Sequence, residues 1–105
     1  MRGYQIVFHT RQDQKLGSGT VADWLLEQVK ALKGGATLLA AKEGLGRDHK
    51  IHSAGFFELS DQPIQVQMAL SEQDAERLFA NIKAAGLRIF YIKTPIEYGV
   101  TGEEE

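Results

Sequence analysis

Residue types that bind anions or metals are concentrated in one short segment, Gly44–His52, with the sequence GLGRDHKIH. Glycine lets backbone N–H groups approach an anion without a Cβ atom in the way. Arg47 and Lys50 supply positive charge, the first as a planar fork and the second as a mobile point charge. The segment therefore predicts a loop that binds a phosphate or carboxylate, with Gly44, Gly46, Arg47 and Lys50 as contacts.

Two histidines in the same segment provide a second possible chemistry. His49 and His52 have an H-x-x-H spacing, and imidazole is a common ligand of transition metals. His9 or an acidic residue from elsewhere would have to complete such a site. His52 is also a candidate donor to a bound phosphate.

An ordinary surface turn would use the same residue types. Glycine is the default residue of tight turns, and exposed arginine and lysine side chains are mostly solvated. Two histidines without cysteine or a carboxylate motif are more often ordinary loop residues. Residue types alone leave these interpretations open.

Length and composition limit the class of protein. At 105 residues we expect one domain over residues 1–105, with residues 99–105 as an acidic, flexible tail. The absence of cysteine excludes disulfides, zinc–thiolate sites and cysteine nucleophiles. The net charge of −2 argues against nucleic-acid binding. No apolar run of membrane-spanning length and no secretory signal is present, so a cytoplasmic location is expected.

Two segments have the pattern of amphipathic helices. The first begins at Thr20 as N-cap and is predicted to end at Lys33-Gly34-Gly35, with a glycine in the left-handed conformation. Its apolar face comprises Val21, Trp24, Leu25, Val29 and Leu32. The second opens with a capping-box pattern at Ser71 and stops at Gly86. Its apolar face comprises Ala75, Leu78, Phe79, Ile82 and Ala85.

Four segments are predicted as strands. Tyr4–His9 and Ile64–Leu70 alternate between apolar and polar residues, and Ala36–Lys42 is a short apolar run typical of a buried strand. Arg88–Ile92 is predicted as the last strand, interrupted by Pro95. The order βαββαβ predicts an α+β, ferredoxin-like sandwich, in which a four-stranded antiparallel sheet carries both helices on one face.

The second face of that sheet requires an explanation of its own. Along Ile64–Leu70, the side opposite the aliphatic residues carries Gln65, Gln67 and Ala69. A solvated face would normally carry lysine and glutamate, so we interpret this face as partly covered by another subunit.

The remaining large side chains are assigned by type. Phe8, Trp24, Phe79 and Phe90 are predicted to lie in the core. Lys93, on the last strand, either points into a cleft between subunits or prevents unwanted pairing of an edge strand.

Three other classes of protein compete with a binding or sensor function. No Ser-His-Asp arrangement and no paired carboxylates are evident, so the chain is not expected to be an enzyme. An RNA-binding module of this topology would need stacking aromatics on its third strand, where Gln65 and Gln67 stand instead. An amino-acid-binding regulatory domain of the same topology stays open, because its ligands are held by backbone groups.

When the predicted order βαββαβ and the loop Gly44–His52 are considered together, the sequence resembles the PII-like signalling proteins. The resemblance is closest to their shorter branch of unknown function. The resemblance runs from Tyr4 to about Tyr98. The segments that carry it are Gly35-Ala36-Thr37, Gly44-Leu45-Gly46-Arg47, Ile51-His52-Ser53 and Leu59-Ser60-Asp61-Gln62-Pro63-Ile64.

The resemblance implies a homotrimer whose sheets face its interior. In PII proteins the loop between strands two and three rises from a cleft between subunits that binds adenine nucleotides. By resemblance, Gly46 and Arg47 match positions near the phosphates, and Thr37 matches one near the base. The loop would report ligand state to a partner protein, such as a membrane transporter or channel.

The chain also departs from the PII pattern. The connection Ala84–Arg88 lacks the second, lysine-containing phosphate loop, and Asp48 replaces a glutamine that helps to bind magnesium and 2-oxoglutarate. No tyrosine occurs between Gly44 and Gln62 for nucleotidylation. Ferredoxin-like trimers also include the divalent-cation-tolerance proteins, so a metal-binding trimer using His49 and His52 is the alternative function.

Overall fold

The computed structural model describes residues 1–40, 43–45, 51–53 and 62–103. These residues contain eight strands and two helices. In chain order they are β1 (Arg2–Arg11), β2 (Lys15–Leu16), β3 (Gly19–Thr20), α1 (Val21–Ala31), β4 (Ala36–Ala40), β5 (Glu43–Leu45), β6 (Ile51–Ser53), β7 (Pro63–Ser71), α2 (Glu72–Ala84) and β8 (Phe90–Glu97).

Four of the strands form one antiparallel sheet in the order β4-β7-β1-β8. The central strand β1 pairs with β7 from Gly3 opposite Ser71 to Arg11 opposite Pro63. Strands β2 and β3 form a small hairpin before α1, and β5 and β6 form another between β4 and β7. Without these two hairpins the order is βαββαβ, which confirms the predicted ferredoxin-like fold.

The core lies between one face of this sheet and the two helices. Alternate residues of β1 and β7 provide the sheet side, and the helices close over them. The members from the sheet are Ile6, Phe8, Ile64, Val66, Met68 and Leu70, and those from the helices are Val21, Ala22, Leu25, Val29, Ala75, Leu78 and Ile82. Burial of each larger side chain contributes about 1.5–3 kcal/mol. Trp24 and Phe79 pack against this cluster while partly buried.

Both helices begin at the residues that the sequence predicts. The Thr20 hydroxyl accepts a hydrogen bond from the Asp23 N–H at 3.1 Å, and the Ser71 hydroxyl accepts one from the Asp74 N–H at 3.2 Å. Each cap satisfies a backbone donor that the first turn of a helix leaves unpaired. Gly86, with φ +69°, follows the end of α2 as predicted.

The end of α1 differs from the prediction. The left-handed residue is Lys33, with φ 59°, and not one of the two glycines that follow it. Gly34 serves close packing instead, because a Cβ atom there would lie 3.1 Å from Leu70 Cδ2 and 3.2 Å from Val29 Cγ1. The prediction assigned the left-handed conformation to a glycine from local sequence, whereas the structure places Gly34 in close contact with side chains of α1 and β7.

Ala36–Lys42 was predicted as a buried strand, and the prediction of burial was wrong. β4 (Ala36–Ala40) lies at one edge of the sheet, and Leu38 and Leu39 are 40% and 44% exposed. An edge strand has a neighbour on one side only, so apolar side chains on it stay accessible in a single chain.

The last strand also differs from the prediction. β8 runs to Glu97 and continues through Pro95, which lies opposite Tyr4. β8 is the other edge strand, where a proline can sit with its missing N–H on the outer side. Phe90 was predicted to be in the core but is 46% exposed, because it lies on the face of the sheet away from the helices.

Candidate functional site

The segment Gly44–His52, which was predicted as a loop, includes residues of the two strands of a β-hairpin. Strands β5 and β6 pair antiparallel through three residue pairs, with Gly44 directly opposite His52. The pairing ends at Leu45 opposite Ile51, and residues 46–50 connect the two strands. Gly44 and His52, both predicted ligand contacts, are therefore neighbours across one ladder.

The other predicted contacts of this segment, Gly46, Arg47 and Lys50, lie outside the described residues, as does His49. Their roles, and the metal site that His49 and His52 would form, remain predictions. Among the described residues no group of three or more histidine, aspartate or glutamate side chains is arranged to hold a metal ion.

Thr37 lies on the edge strand β4, on the face of the sheet away from the helices, because it pairs with Gln67. It lines an open pocket of about 270 Å³ on that face. Gln5, Gln67 and Ile96 contribute to the same pocket. Thr37 thus lies beside a shallow surface with neutral hydrogen-bonding groups.

Lys93 lies at the opposite edge and on the opposite face. Its partner on β1 is Ile6, a core residue, so its side chain is on the helix side of β8. The ammonium Nζ is 4.1 Å from the centroid of the Tyr4 ring and 5.3 Å from that of Phe79. The sheet order separates Thr37 from Lys93 by three strand spacings, about 14 Å. Within one chain these two candidates cannot bind the same small ligand.

We call the sheet surface away from the helices the open face. Strand alternation and register assign to it four residues of β8, five of β1, and others of β7 and β4. These are Phe90, Ile92, Thr94, Ile96, Gly3, Gln5, Val7, His9, Arg11, Pro63, Gln65, Gln67, Ala69, Ser71, Thr37 and Leu39. Among these described residues there is no aspartate, glutamate or lysine, and the one charge, Arg11, lies at the end of β1. The sequence prediction of a neutral face on β7 therefore extends across all four strands.

Two further features of the open face are exposed apolar side chains at both edges and a hydrogen-bonded pair of glutamines between them. Leu39, Phe90 and Ile92 are 44%, 46% and 50% exposed, one at one edge and two at the other. Between them, Gln67 Nε2 donates a hydrogen bond to Gln65 Oε1 at 3.0 Å. Each amide of this pair keeps a polar group that can bond to a further partner.

His9 lies in the middle of the open face. Its ring meets Phe90 edge-on, with centroids 5.5 Å apart. Its Nε2 atom is buried and has no hydrogen-bond partner among the described residues. Buried polar atoms of this kind normally have a hydrogen-bond partner. The sequence did not indicate His9, Leu39 and Ile92 as members of one surface, because only the pairing of the strands brings them together.

The fold defines a class: this is a ferredoxin-like domain. A family model described as DUF190, Uncharacterized ACR, matches residues 4–93, and the chain belongs to this family. The resemblance predicted from the sequence motifs is confirmed. A search of the curated proteins found no match.

Solved structures of PII-like proteins share the fold. CPII, a nitrogen regulatory PII-like protein from Thiomonas intermedia solved with ADP, AMP and bicarbonate, has a TM-score of 0.70 at 12% identity, over 95% of this chain and 91% of CPII. A protein assigned to PII-like signalling from Thermus thermophilus has a TM-score of 0.65 at 15% identity, over 91% of this chain and 88% of that one. At such identities the likeness shows the fold alone.

Neither α1 nor α2 is long and apolar enough to cross a membrane, and the described residues contain no other helix.

Proposed function

We propose that this protein is a non-enzymatic, cytoplasmic PII-like sensor that acts as a homotrimer. It binds a small anionic ligand, an adenine nucleotide, in the cleft between subunits. The hairpin β5–β6 and residues 46–50 report the ligand to a partner protein, such as a membrane transporter or channel. The observation that carries the proposal is the open face, which has one charged residue among those described and exposed apolar side chains at both edges.

The open face is the surface through which copies associate. Charged residues are depleted at the centre of protein interfaces, and contiguous apolar groups on a free surface are unusual. Leu39, Phe90 and Ile92 are exposed in a single chain, and His9 Nε2 has no partner within the described residues. A second copy of the chain would cover these three apolar side chains and could form a hydrogen bond with His9 Nε2.

The division of the candidate residues supports a site between subunits. Thr37 and Lys93 lie on opposite edges and opposite faces of the sheet. A ligand contacting both would have to lie between the β4 edge of one subunit and the β8 edge of another. The predicted ligand contacts fit an inter-subunit cleft and not a pocket within one chain.

The hairpin is suited to report a ligand. A two-stranded ribbon with three residue pairs is marginally stable by itself in water. Contacts from a bound ligand or a partner protein would therefore shift its population of conformations measurably. Gly46, Arg47 and Lys50 fall within the five residues 46–50 that connect its strands, so ligand contact there acts directly on the ladder.

The relatives support an adenine nucleotide as the ligand. CPII, which has the same fold, was solved with ADP and AMP. This chain lacks the second phosphate loop of PII proteins, so residues 46–50 would provide most of the phosphate contacts. Arg47 is the strongest candidate because its planar guanidinium can bind phosphate through two hydrogen bonds.

The test is binding of ATP, ADP and AMP by calorimetry and thermal shift to the wild type, Arg47→Ala and Arg77→Ala. Ligand at a hundredfold over its dissociation constant stabilises the native state by about 2.7 kcal/mol, which raises the Tm by several degrees. Loss of a charge-assisted hydrogen bond should weaken binding about tenfold or more in Arg47→Ala. Arg77→Ala, which removes an exposed arginine of α2, should bind as the wild type does.

The proposal fails if Arg47→Ala binds every nucleotide as tightly as the wild type. A panel of divalent metal ions is included in the same thermal-shift experiment. Stabilisation by a metal ion but by no nucleotide, lost in His49→Ala and His52→Ala, would establish the metal-binding trimer instead.

A further inference from the structure

Among the described residues of the open face, His9 is the one whose side chain can change its charge near neutral pH. The chain has three histidines, and a histidine side chain ordinarily titrates between about pH 5 and pH 8. His9 lies on β1, opposite Gln65 of β7 and Phe90 of β8. A change of its charge therefore takes place within the surface through which copies are proposed to associate.

The Nε2 atom of His9 has no acceptor for a proton. It is buried and has no hydrogen-bond partner among the described residues, and the ring meets that of Phe90 edge-on, with centroids 5.5 Å apart. A neutral imidazole leaves one ring nitrogen without a proton, whereas imidazolium has an N–H on both nitrogens and needs an acceptor for each. Protonation would therefore leave a charged donor unpaired at a buried position, which is costly.

A covering copy of the chain would raise this cost. In a single chain His9 is only partly buried, so water can solvate the accessible part of a charged ring. Covering the open face removes that water, and a buried charge without a carboxylate partner costs far more than an exposed one. The dissociated chain therefore takes up a proton more readily than the assembly does. The species that binds more protons is favoured as the pH falls.

No group that faces His9 in the described structure can neutralise its charge. The facing groups on β7, β8 and β1 are Pro63, Gln65, Gln67, Phe90, Ile92, Val7 and Arg11. Arg11 has the same sign of charge as imidazolium. The carboxylate next to it is already engaged, because Asp13 Oδ1 lies 3.5 Å from Arg11 Nε.

A second copy of the chain brings no carboxylate to His9 either. The interface would consist of the open faces of identical subunits, so the described part of the partner surface has the same residues. It can offer a neutral amide to His9 Nε2, but it also brings its own His9 and Arg11. In acid each subunit would thus add one positive charge to the shared interface, and like charges held together there weaken association.

We propose that His9 makes the assembly of this protein sensitive to acid. The neutral imidazole permits association through the open face, and protonation of His9 dissociates the subunits. This inference rests on the proposed assembly and names a condition that takes it apart. Because the proposed ligand site lies between subunits, acid would also release the ligand.

The experiment measures the mass of the wild type by light scattering coupled to size-exclusion chromatography, at about pH 8 and at about pH 5.5. A chelator is present, so that no metal ion held by histidine contributes, and nucleotide is left out. The dissociation constant of the assembly should rise at least about tenfold in acid. Circular dichroism at both pH values confirms that the chain stays folded.

Two variants assign the effect to His9. His9→Gln keeps a polar group and His9→Phe keeps a ring against Phe90, and each should have the same mass at both pH values. His49→Gln, which removes a histidine of the segment Gly44–His52, is the matched control and should dissociate in acid as the wild type does. In the wild type, the NMR signal of the His9 ring Cε1–H should show the charge appearing in step with dissociation, which decides the matter if neither His9 variant assembles.

The outcomes separate this inference from the proposed function. A wild type that is already a monomer at about pH 8 would contradict the assembly itself. An assembly that keeps its mass in acid would overturn only the role of His9. Acid dissociation that persists in the His9 variants, or that occurs while the His9 ring is still neutral, would overturn that role as well.

Discussion

At the scale of single residues, Lys33 adopts a backbone conformation that is costly for any residue with a Cβ atom. Its φ is 59°, in the left-handed region, where the Cβ of an L-residue approaches the following carbonyl at a cost of roughly 1–2 kcal/mol. The turn is held by hydrogen bonds from Lys33 N–H to Lys30 O and from Gly34 N–H to Val29 O, both at 3.0 Å. The helix end thus forms without a glycine at the position that usually has one.

Replacing Lys33 by glycine should therefore stabilise the protein. Relief of the left-handed strain exceeds the additional chain entropy that glycine loses on folding, with a net gain of about 0.5 kcal/mol. The Tm measured by thermal denaturation should rise by about 2–4 °C. Lys33→Ala keeps the Cβ atom and should give no rise, so an equal gain in both variants would mean that the removed charge was responsible.

The position of Lys93 is compatible with both roles suggested for it, which are a contact in a cleft between subunits and the prevention of unwanted strand pairing. On the edge strand β8 it is placed to discourage strand pairing with other chains. Its ammonium also lies against the Tyr4 ring at 4.1 Å, a cation–π contact worth about 0.5–1 kcal/mol at an exposed site. In both positions the Lys93 ammonium stays accessible, so it can also contact a ligand that lies between two subunits.

At the scale of elements, one end of the pairing between β1 and β7 depends on a close approach of the two backbones. Gly3 is buried opposite Ser71 in the central strand. A Cβ atom at Gly3 would overlap the backbone carbonyl of Leu70, and it would lie 3.0 Å from Ser71 Cα. Backbone atoms that are held in a strand ladder move aside less easily than the end of a side chain does.

Gly3→Ala should for this reason be strongly destabilising. We expect a loss of at least about 2–3 kcal/mol in the free energy of unfolding, visible as a fall in Tm of about 10 °C or more. The matched control is Gly35→Ala, where a Cβ atom meets nothing within 4 Å and the change should stay within about 0.5 kcal/mol. Similar values for the two variants would show that β1 and β7 can separate locally.

At the scale of the whole molecule, the distribution of charge between the two sides of the sheet is the main feature. Both helices cover one side, and the open face has Arg11 as its one charged residue among those described. The net charge of the chain is only −2, so long-range repulsion between copies is weak. The protein can therefore associate through the open face with little electrostatic opposition.

Leu38 and Leu39 allow a matched test of this association. The two neighbours on β4 are exposed to similar extents, but Leu39 lies on the open face and Leu38 on the helix side. Leu39→Glu should place an unpaired charge in the interface and weaken assembly at least about tenfold. Leu38→Glu should keep the mass of the assembly. Light scattering coupled to size-exclusion chromatography measures both, and circular dichroism confirms that each variant is folded.

Wild-type protein that is a monomer at micromolar concentration would contradict the proposed assembly. Equal dissociation of the two variants would contradict the assignment to the open face and indicate that the β4 edge itself is the contact.

The elements of this chain could be predicted because their signals are local. Alternation in Ile64–Leu70 and capping at Thr20 and Ser71 depend on a few adjacent residues, and the structure has both features as predicted. The prediction of a left-handed glycine at the end of α1 was wrong, because Lys33 has that conformation and Gly34 packs against the distant residue Leu70 instead. The pairing of Gly44 with His52 was likewise not evident from composition, which indicated a loop.

The sequence by itself determined the order of the elements along the chain, the helix faces and the identity of the residues that carry charge, since each follows from periodicity or residue type. Only the tertiary structure decided which strands form the edges, and hence that Leu39, Phe90 and Ile92 are exposed on one face that has Arg11 as its one charge among the described residues. It also placed Thr37 and Lys93 on opposite sides of the sheet. The physical reason is that strand order and facing depend on pairing between segments far apart in the chain, and no local pattern records that pairing.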